Sequence, residues 1–191
     1  MQNNLIQARR KIRAAGRKIF VAVTDKNGGE MSLNHEFVIV GDLNKSNWTN
    51  LTSDFFENKD TFEYVSVHDD YISYFADFIS FFTMHNPCKN DDVEGLCYYG
   101  VTKIPNERLS DIIKFLEHLL GIFTFAPDEI HLKGEYITEY SETPNAAGYY
   151  EDGHYEILKI RKEKMLKKLQ SLINLFTKAK VEDKCIMHCG I

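Results

Sequence analysis

Proline and glycine are scarce, at 4 and 11 of 191 residues. That excludes a long Pro/Gly-rich linker and extended disorder away from the termini. Long apolar runs are missing too. The most apolar stretch, Tyr71 to Met84, is interrupted by Asp77 and falls short of the roughly 20 residues needed to span a bilayer. Near the start, Arg9, Arg10, Lys11, Arg13, Arg17 and Lys18 precede an apolar run, Ile19 to Val23, that is too short for the core of a secretory signal. A cytoplasmic protein with no membrane partner is expected. The sequence also lacks a phosphate loop, a dinucleotide fingerprint, a nucleophile elbow and an HExxH pair. Gly28-Gly29 reads only as a turn. No catalytic residue, metal ligand or cofactor is assigned.

What is present fits one domain spanning residues 1–191. The length is enough to close a hydrophobic core, and hydrophobic and charged contents of 43% and 27% are ordinary for a globular chain. The 13 Phe and 10 Tyr require a packed interior or an interface, because each ring buries a large area. Charge is unevenly spread. Residues 1–18 carry six basic and no acidic side chains, residues 19–158 eight basic against 25 acidic, and residues 159–191 nine basic against three acidic. The segment nets are therefore +6, −17 and +6. An acidic middle repels nucleic acid and favours a basic protein partner.

Periodicity and turn chemistry give a coarse map. Residues 2–16 read as a helix and Lys18 to Thr24 as a strand, followed by the turn Asp25 to Gly29. Phe37 to Val40 reads as a strand that could pair with it, 49–57 as a short helix and Thr61 to Val67 as a strand. Asp69-Asp70 is expected to cap a core helix over 70–84, aromatic on most sides through Tyr71, Tyr74, Phe75, Phe78, Phe81 and Phe82. His85 to Glu94 reads as a surface loop, Gly95 to Ile104 as a strand, and the apolar spacing from Leu109 to Phe123 as a helix. Glu129 to Thr138 reads as a strand and 139–153 as a loop. A helix is expected over 154–179, with Leu158, Met165, Leu169, Leu172, Ile173 and Phe176 on its core stripe. Lys159, Arg161, Lys162, Lys164, Lys167 and Lys168 fall opposite. A last strand is expected over Lys184 to Gly190. Strands and helices intermix without strict β-α-β alternation, which predicts an α+β fold: a mixed or mainly antiparallel sheet packed with helices.

Several groups carry possible chemistry. Val67-His68-Asp69-Asp70 sets an imidazole beside carboxylates, either an acid–base pair or a helix cap next to an exposed histidine. Glu129, His131, Lys133 and Glu135 share one strand face, as a binding row or simply a solvated one. Cysteines 88, 97, 185 and 189 read as buried free thiols. The tail also offers zinc-type ligands in Cys185, His188 and Cys189, but in a strand His188 points away from the other two. The segment 139–153 is the strongest candidate for partner binding. Glu139, Tyr140, Glu142, Tyr149, Tyr150, Glu151 and Asp152 combine tyrosine contact area with carboxylates complementary to a basic surface.

Tyr98-Tyr-Gly-Val-Thr-Lys-Ile104, the helix Leu109 to Phe123, and Ala126-Pro127-Asp128 leading into Ile130 to Tyr136 form one group of features. With the closing basic helix and Ile186-Met-His-Cys-Gly-Ile191, they cover roughly the second half of the chain. This set resembles bacterial immunity proteins of the polymorphic-toxin or contact-dependent growth inhibition type. The resemblance implies a non-enzymatic cytoplasmic inhibitor. Such a protein binds one cognate toxin domain, often a basic nuclease, and blocks its active site. The alternative is a small hydrolase-type or metal-dependent enzyme using His68, His131 or the Cys185–His188–Cys189 group.

Overall fold

A computed structural model describes residues 33–41, 47–140 and 151–191. The expected elements over 2–16, 18–24 and 25–29 lie outside them. The described residues divide into two compact units, residues 131–140 with 151–158, and residues 33–41 and 47–130 with 159–191.

The larger unit is built on a six-stranded sheet. Its strands are β1 (Asn34–Val40), β2 (Tyr64–His68), β3 (Thr83–Asn86), β4 (Asp91–Glu94), β5 (Val101–Ile104) and β8 (Cys185–Cys189), in the order β2-β1-β8-β5-β3-β4. Every neighbouring pair is antiparallel. The class is α+β, with an antiparallel sheet rather than a mixed one. The tail strand β8 is central, between β1 and β5, and all five of its residues are buried.

Register decides what each face of that strand meets. Val38 is opposite Met187 and Val40 opposite Cys185, while Val101 is opposite Cys189. These side chains enter one apolar cluster with Trp48 and Phe55 of helix α1 (Trp48–Glu57). On the opposite face, Phe37 and Thr102 flank His188, and Ile39 and Ile104 flank Ile186. Helix α5 (Lys162–Val181) packs over β1, β2 and β8, and against α4 (Asn106–Thr124). Met165, Leu169, Leu172, Ile173 and Phe176 are buried on α5, as the stripe requires. Asn106 ties the helices to the sheet, donating from Nδ2 to the Lys184 carbonyl at 2.9 Å.

Three expectations need correction. The aromatic segment 70–84 is not one helix. It forms α2 (Asp69–Ser73) and α3 (Ala76–Ile79), then turns into β3. Apolar groups all round leave no single face to bury; Ile72, Phe75 and Ile79 go inside, whereas Phe78 and Phe81 are 51% and 76% exposed. Second, residues 85–94 are a hairpin, β3–β4, closed by Asn90 at φ 58° with its N–H donating to the Asn86 carbonyl. β4 reads Asp-Asp-Val-Glu, so charge on an edge strand hid its extended character. β5 is correspondingly shorter than the strand expected from Gly95.

Third, the helix expected from 154 starts only at Lys162. Residues Glu151–Arg161 form β7, paired with β6 (Glu129–Tyr140). Gly134 approaches Glu156 while Gly153 approaches Ile137, so the two strands run antiparallel. Side-chain type does not alternate strictly over Tyr155 to Ile160, but burial does, with Tyr155, Ile157 and Lys159 exposed and Glu156, Leu158 and Ile160 turned inward, and pairing with β6 decides it. Gly153 is required: a Cβ there would stand 2.5 Å from the Ile137 carbonyl and 2.6 Å from the Tyr136 ring. Tyr136 and Tyr155 meet edge to face at 5.0 Å, and the Lys133 ammonium lies over Tyr155 at 3.4 Å.

Candidate functional site

The residues singled out from sequence are partly gathered by the sheet. Because β2 runs antiparallel to β1, with His68 opposite Asn34, the chain leaves β2 beside the start of β1. The Asp69 N–H then donates to the Leu33 carbonyl at 2.8 Å. Asp69 meets His35 rather than its neighbour His68, with His35 Nε2 3.1 Å from Oδ1. The Tyr98 hydroxyl donates to the other carboxylate oxygen at 2.7 Å. His35 Nδ1 lies 2.8 Å from His188 Nε2. A continuous chain of hydrogen bonds thus runs Tyr98–Asp69–His35–His188, from the surface into the sheet.

Each end is fixed locally. Tyr98 is clamped by the residues after β8: Ile191 N–H donates to its carbonyl at 3.0 Å, and Gly190 N–H donates to the Gly100 carbonyl at 2.7 Å. A Cβ at Gly190 would collide with the Tyr98 and Cys97 carbonyls, so glycine permits this approach. Gly100 takes φ 95°, turning the chain from Tyr99 into β5. His188 lies nearly coplanar with His35, their centroids 5.1 Å apart and interplanar angle 13°, and 4.9 Å from the Phe37 ring.

Tautomers follow from the acceptors. The ionised Asp69 carboxylate accepts only, so Tyr98 donates its hydroxyl proton and His35 carries its proton on Nε2. With His35 neutral, Nδ1 is bare and His188 Nε2–H donates to it. His188 Nδ1 then holds a lone pair with no partner among the described residues. Burial, joined by the charge His35 carries whenever it is itself protonated, keeps the His188 imidazole well below its usual range. Burial raises the Asp69 carboxyl, but hydrogen bonds from His35 and Tyr98 and the charges of His35 and His68 outweigh it, leaving it below the ordinary value. Burial and the Asp69 hydrogen bond push the Tyr98 phenol up. Both imidazoles are fully buried, out of reach of a substrate. The chain of bonds therefore acts by position, holding Tyr98 and a negative charge in place.

His68 and Asp70 stand at the edge of this network. His68 Nδ1 accepts from the Asp70 N–H at 3.2 Å, capping α2. The same nitrogen lies 3.3 Å from Asp70 Oδ2. One ring nitrogen cannot accept and donate at once. While it caps the helix with its lone pair, it cannot donate to the Asp70 carboxylate. The cap expected from Asp69-Asp70 is thus supplied by His68, the two carboxylates lying in the first turn.

In the strand β8, Cys185 and Cys189 face the apolar cluster and His188 the opposite side. The three side chains cannot close on one ion without breaking the strand. Among the described residues, no group of three or more His, Cys, Asp or Glu has metal-binding geometry. None of the four cysteines forms a disulfide; Cys185 and Cys189 are buried, but Cys88 is exposed, contrary to expectation, because it sits in the solvent-facing turn of the β3–β4 hairpin. Burial, with the Glu36 carboxylate, pushes the Cys189 thiol up to about 12, which makes it inert.

The expected binding segment is placed only in part. Glu139 and Tyr140 end β6, and Glu151 and Asp152 begin β7, so both ends of the anticipated loop are strand. Glu142, Tyr149 and Tyr150 lie outside the described residues. Glu129, His131 and Lys133 are exposed on β6, with Ile130 and Leu132 buried, so the expected alternation holds from 129 to 133; Tyr136, expected on the buried side with Ile130 and Leu132, is 53% exposed. Between β3, β4, β5 and the start of α4 lies a shallow cleft of about 370 Å³ where His85, Asp92, Lys103 and Arg108 mix both signs of charge. His35 was missed from the sequence, and its only signal there is an imidazole two residues before the apolar run Phe37 to Val40.

Comparison with known proteins returns no match: no family model fits the chain, and no curated protein or solved structure is significantly similar to it. No helix among the described residues is long and apolar enough to cross a membrane.

Proposed function

We propose that this chain is a cytoplasmic immunity protein that binds a cognate toxin domain, a basic nuclease, and blocks its active site. Charge is the observation that carries the reading. Residues 19–158 hold 25 acidic against eight basic side chains, and the edge strand β4 exposes Asp91, Asp92 and Glu94. An acidic inhibitor surface speeds and orients the capture of a basic partner. The likeness of 98–104, 109–123 and 126–136 to immunity proteins supports the same reading. The interface includes the segment between β6 and β7 with Glu139, Tyr140, Glu142, Tyr149, Tyr150, Glu151 and Asp152, where tyrosine supplies large contact area at low entropy cost.

The test begins with the gene next door. A large secreted protein encoded immediately upstream supplies the candidate toxin as its C-terminal domain, and co-expression of this chain is expected to relieve that domain's toxicity. The double variant Tyr149→Ala, Glu151→Lys should weaken binding by roughly 10-fold or more, the loss of one interface anchor, with an unchanged circular dichroism spectrum. Unaltered affinity removes the loop from the interface, and absence of any binding by the wild type refutes the reading.

A further inference from the structure

We infer that Tyr98 and Tyr99, with Asp69 and Asp70, form an arginine-recognition surface for a basic protein segment. The inference rests on the immunity reading only for the identity of that protein. Tyr98 and Tyr99 are 42% and 68% exposed on the turn before β5, and their rings meet edge to face at 4.8 Å. Exposed tyrosines this close together leave apolar area uncovered that a partner side chain can fill.

Three features make the surface fit a guanidinium. Tyr98 is held at both ends of its side chain, by the clamp of residues 190–191 on its backbone and by Asp69 on its hydroxyl, and its ring and that of His35 meet in a T-shaped contact at 5.6 Å. A platform fixed in advance loses little entropy on binding. Its hydroxyl is committed as a donor to an anionic oxygen, which moves electron density into the ring and strengthens attraction for a cation over its face. Finally, the half-exposed Asp70 carboxylate accepts no proton from His68 while that imidazole caps α2, and so can pair with an incoming cation. A planar guanidinium can stack on an aromatic face and bond a carboxylate side-on, whereas an ammonium is a point charge that does not stack. The occupant is therefore an arginine of a basic segment rather than a lysine or a nucleic acid, whose phosphates Asp69 and Asp70 repel.

The full chain is titrated with a blocked tetra-arginine peptide and, separately, tetra-lysine, following the tyrosine ring and backbone signals by NMR. Tetra-arginine should shift Tyr98, Tyr99 and Asp70 and bind roughly two- to fivefold more tightly than tetra-lysine, because a guanidinium adds stacking and a side-on carboxylate bond to the cation–π attraction both cations share. Tyr99→Ala, an exposed position where folding is not at risk, and Asp70→Asn should each weaken arginine binding. Equal binding of both peptides, shifts centred elsewhere, or no loss in Tyr99→Ala overturns the proposal. The upstream-encoded toxin separates it from the immunity reading. A toxin bound equally by wild type and Tyr99→Ala overturns this surface and leaves that reading standing. If the wild type binds no toxin but still selects tetra-arginine at Tyr98 and Tyr99, the immunity reading falls and the surface stands.

Discussion

On one face of β8, Cys185, Met187 and Cys189 enter an apolar cluster with Val38, Val40, Trp48 and Phe55. On the other, His188 joins a hydrogen-bonded chain through His35 to Asp69 and Tyr98. Both faces are buried, but they are stabilised differently. The apolar side gains in proportion to area removed from water and tolerates changes of shape better than loss of volume. The polar side depends on each group finding its partner, because an unmade buried bond costs more than a made one contributes. The network already carries one orphan, His188 Nδ1. Its stability should therefore respond to pH and to single-atom changes that the apolar side ignores.

Three experiments separate the faces. The largest effect is expected from Met187→Ala, which opens a cavity beside Phe55 and should lower unfolding free energy by about 2–5 kcal/mol. Chemical denaturation measures it, and the loss should be the same at pH 7.5 and 5.5. A loss under 1 kcal/mol would mean the cluster collapses into the space.

Asp69→Ala comes next. It leaves the buried His35 Nε2–H without its acceptor, for a cost of about 1–3 kcal/mol, while Tyr98, half-exposed, turns to water. NMR should show His35 changing tautomer and the Tyr98 ring losing its fixed position. An unperturbed Tyr98 would show that the clamp of residues 190–191 alone holds it.

The smallest effect is graded in pH. The folded His188 value is depressed, so the unfolded chain binds a proton that the folded chain refuses. Stability is full above the unfolded value near 6.5 and falls as pH drops below it, by at most about 1.4 kcal/mol per pH unit. Asp69 adds a further loss at lower pH, as pH falls below the ordinary aspartate range, because its folded value is also depressed. Denaturation midpoints at pH 7.5, 6.5 and 5.5 should trace the His188 slope in the wild type, and His188→Phe should flatten it. A flat wild-type profile would place a proton on the buried pair already.

Much of the fold was legible because local pattern and tertiary demand agree. Helix α4 and the stripe on α5 follow helical spacing and bury those residues; β1 and β8 are short, β-rich and fully paired. Legibility failed where pattern was ambiguous. Residues 154–161 satisfy a helix or a strand, and only the partner strand β6 decides between them. β4 carries charge at three of its four positions and hid as a loop. The aromatic run 70–84 has no periodic face, so its break into α2, α3 and β3 had no local signal.

For the candidate site, the sequence by itself determined the ingredients: the acidic middle, the pair Tyr98-Tyr99, the His68-Asp69-Asp70 run, and the opposition of His188 to Cys185 and Cys189 along a strand. The two-residue alternation of a strand is a local property, so it can be read without a partner. Only the tertiary structure decided that His35 meets His188 across 153 residues, and that Asp69 serves His35 and Tyr98 instead of its neighbour. Sheet order and register set those contacts, and both depend on how distant segments share one core rather than on the spacing within any of them.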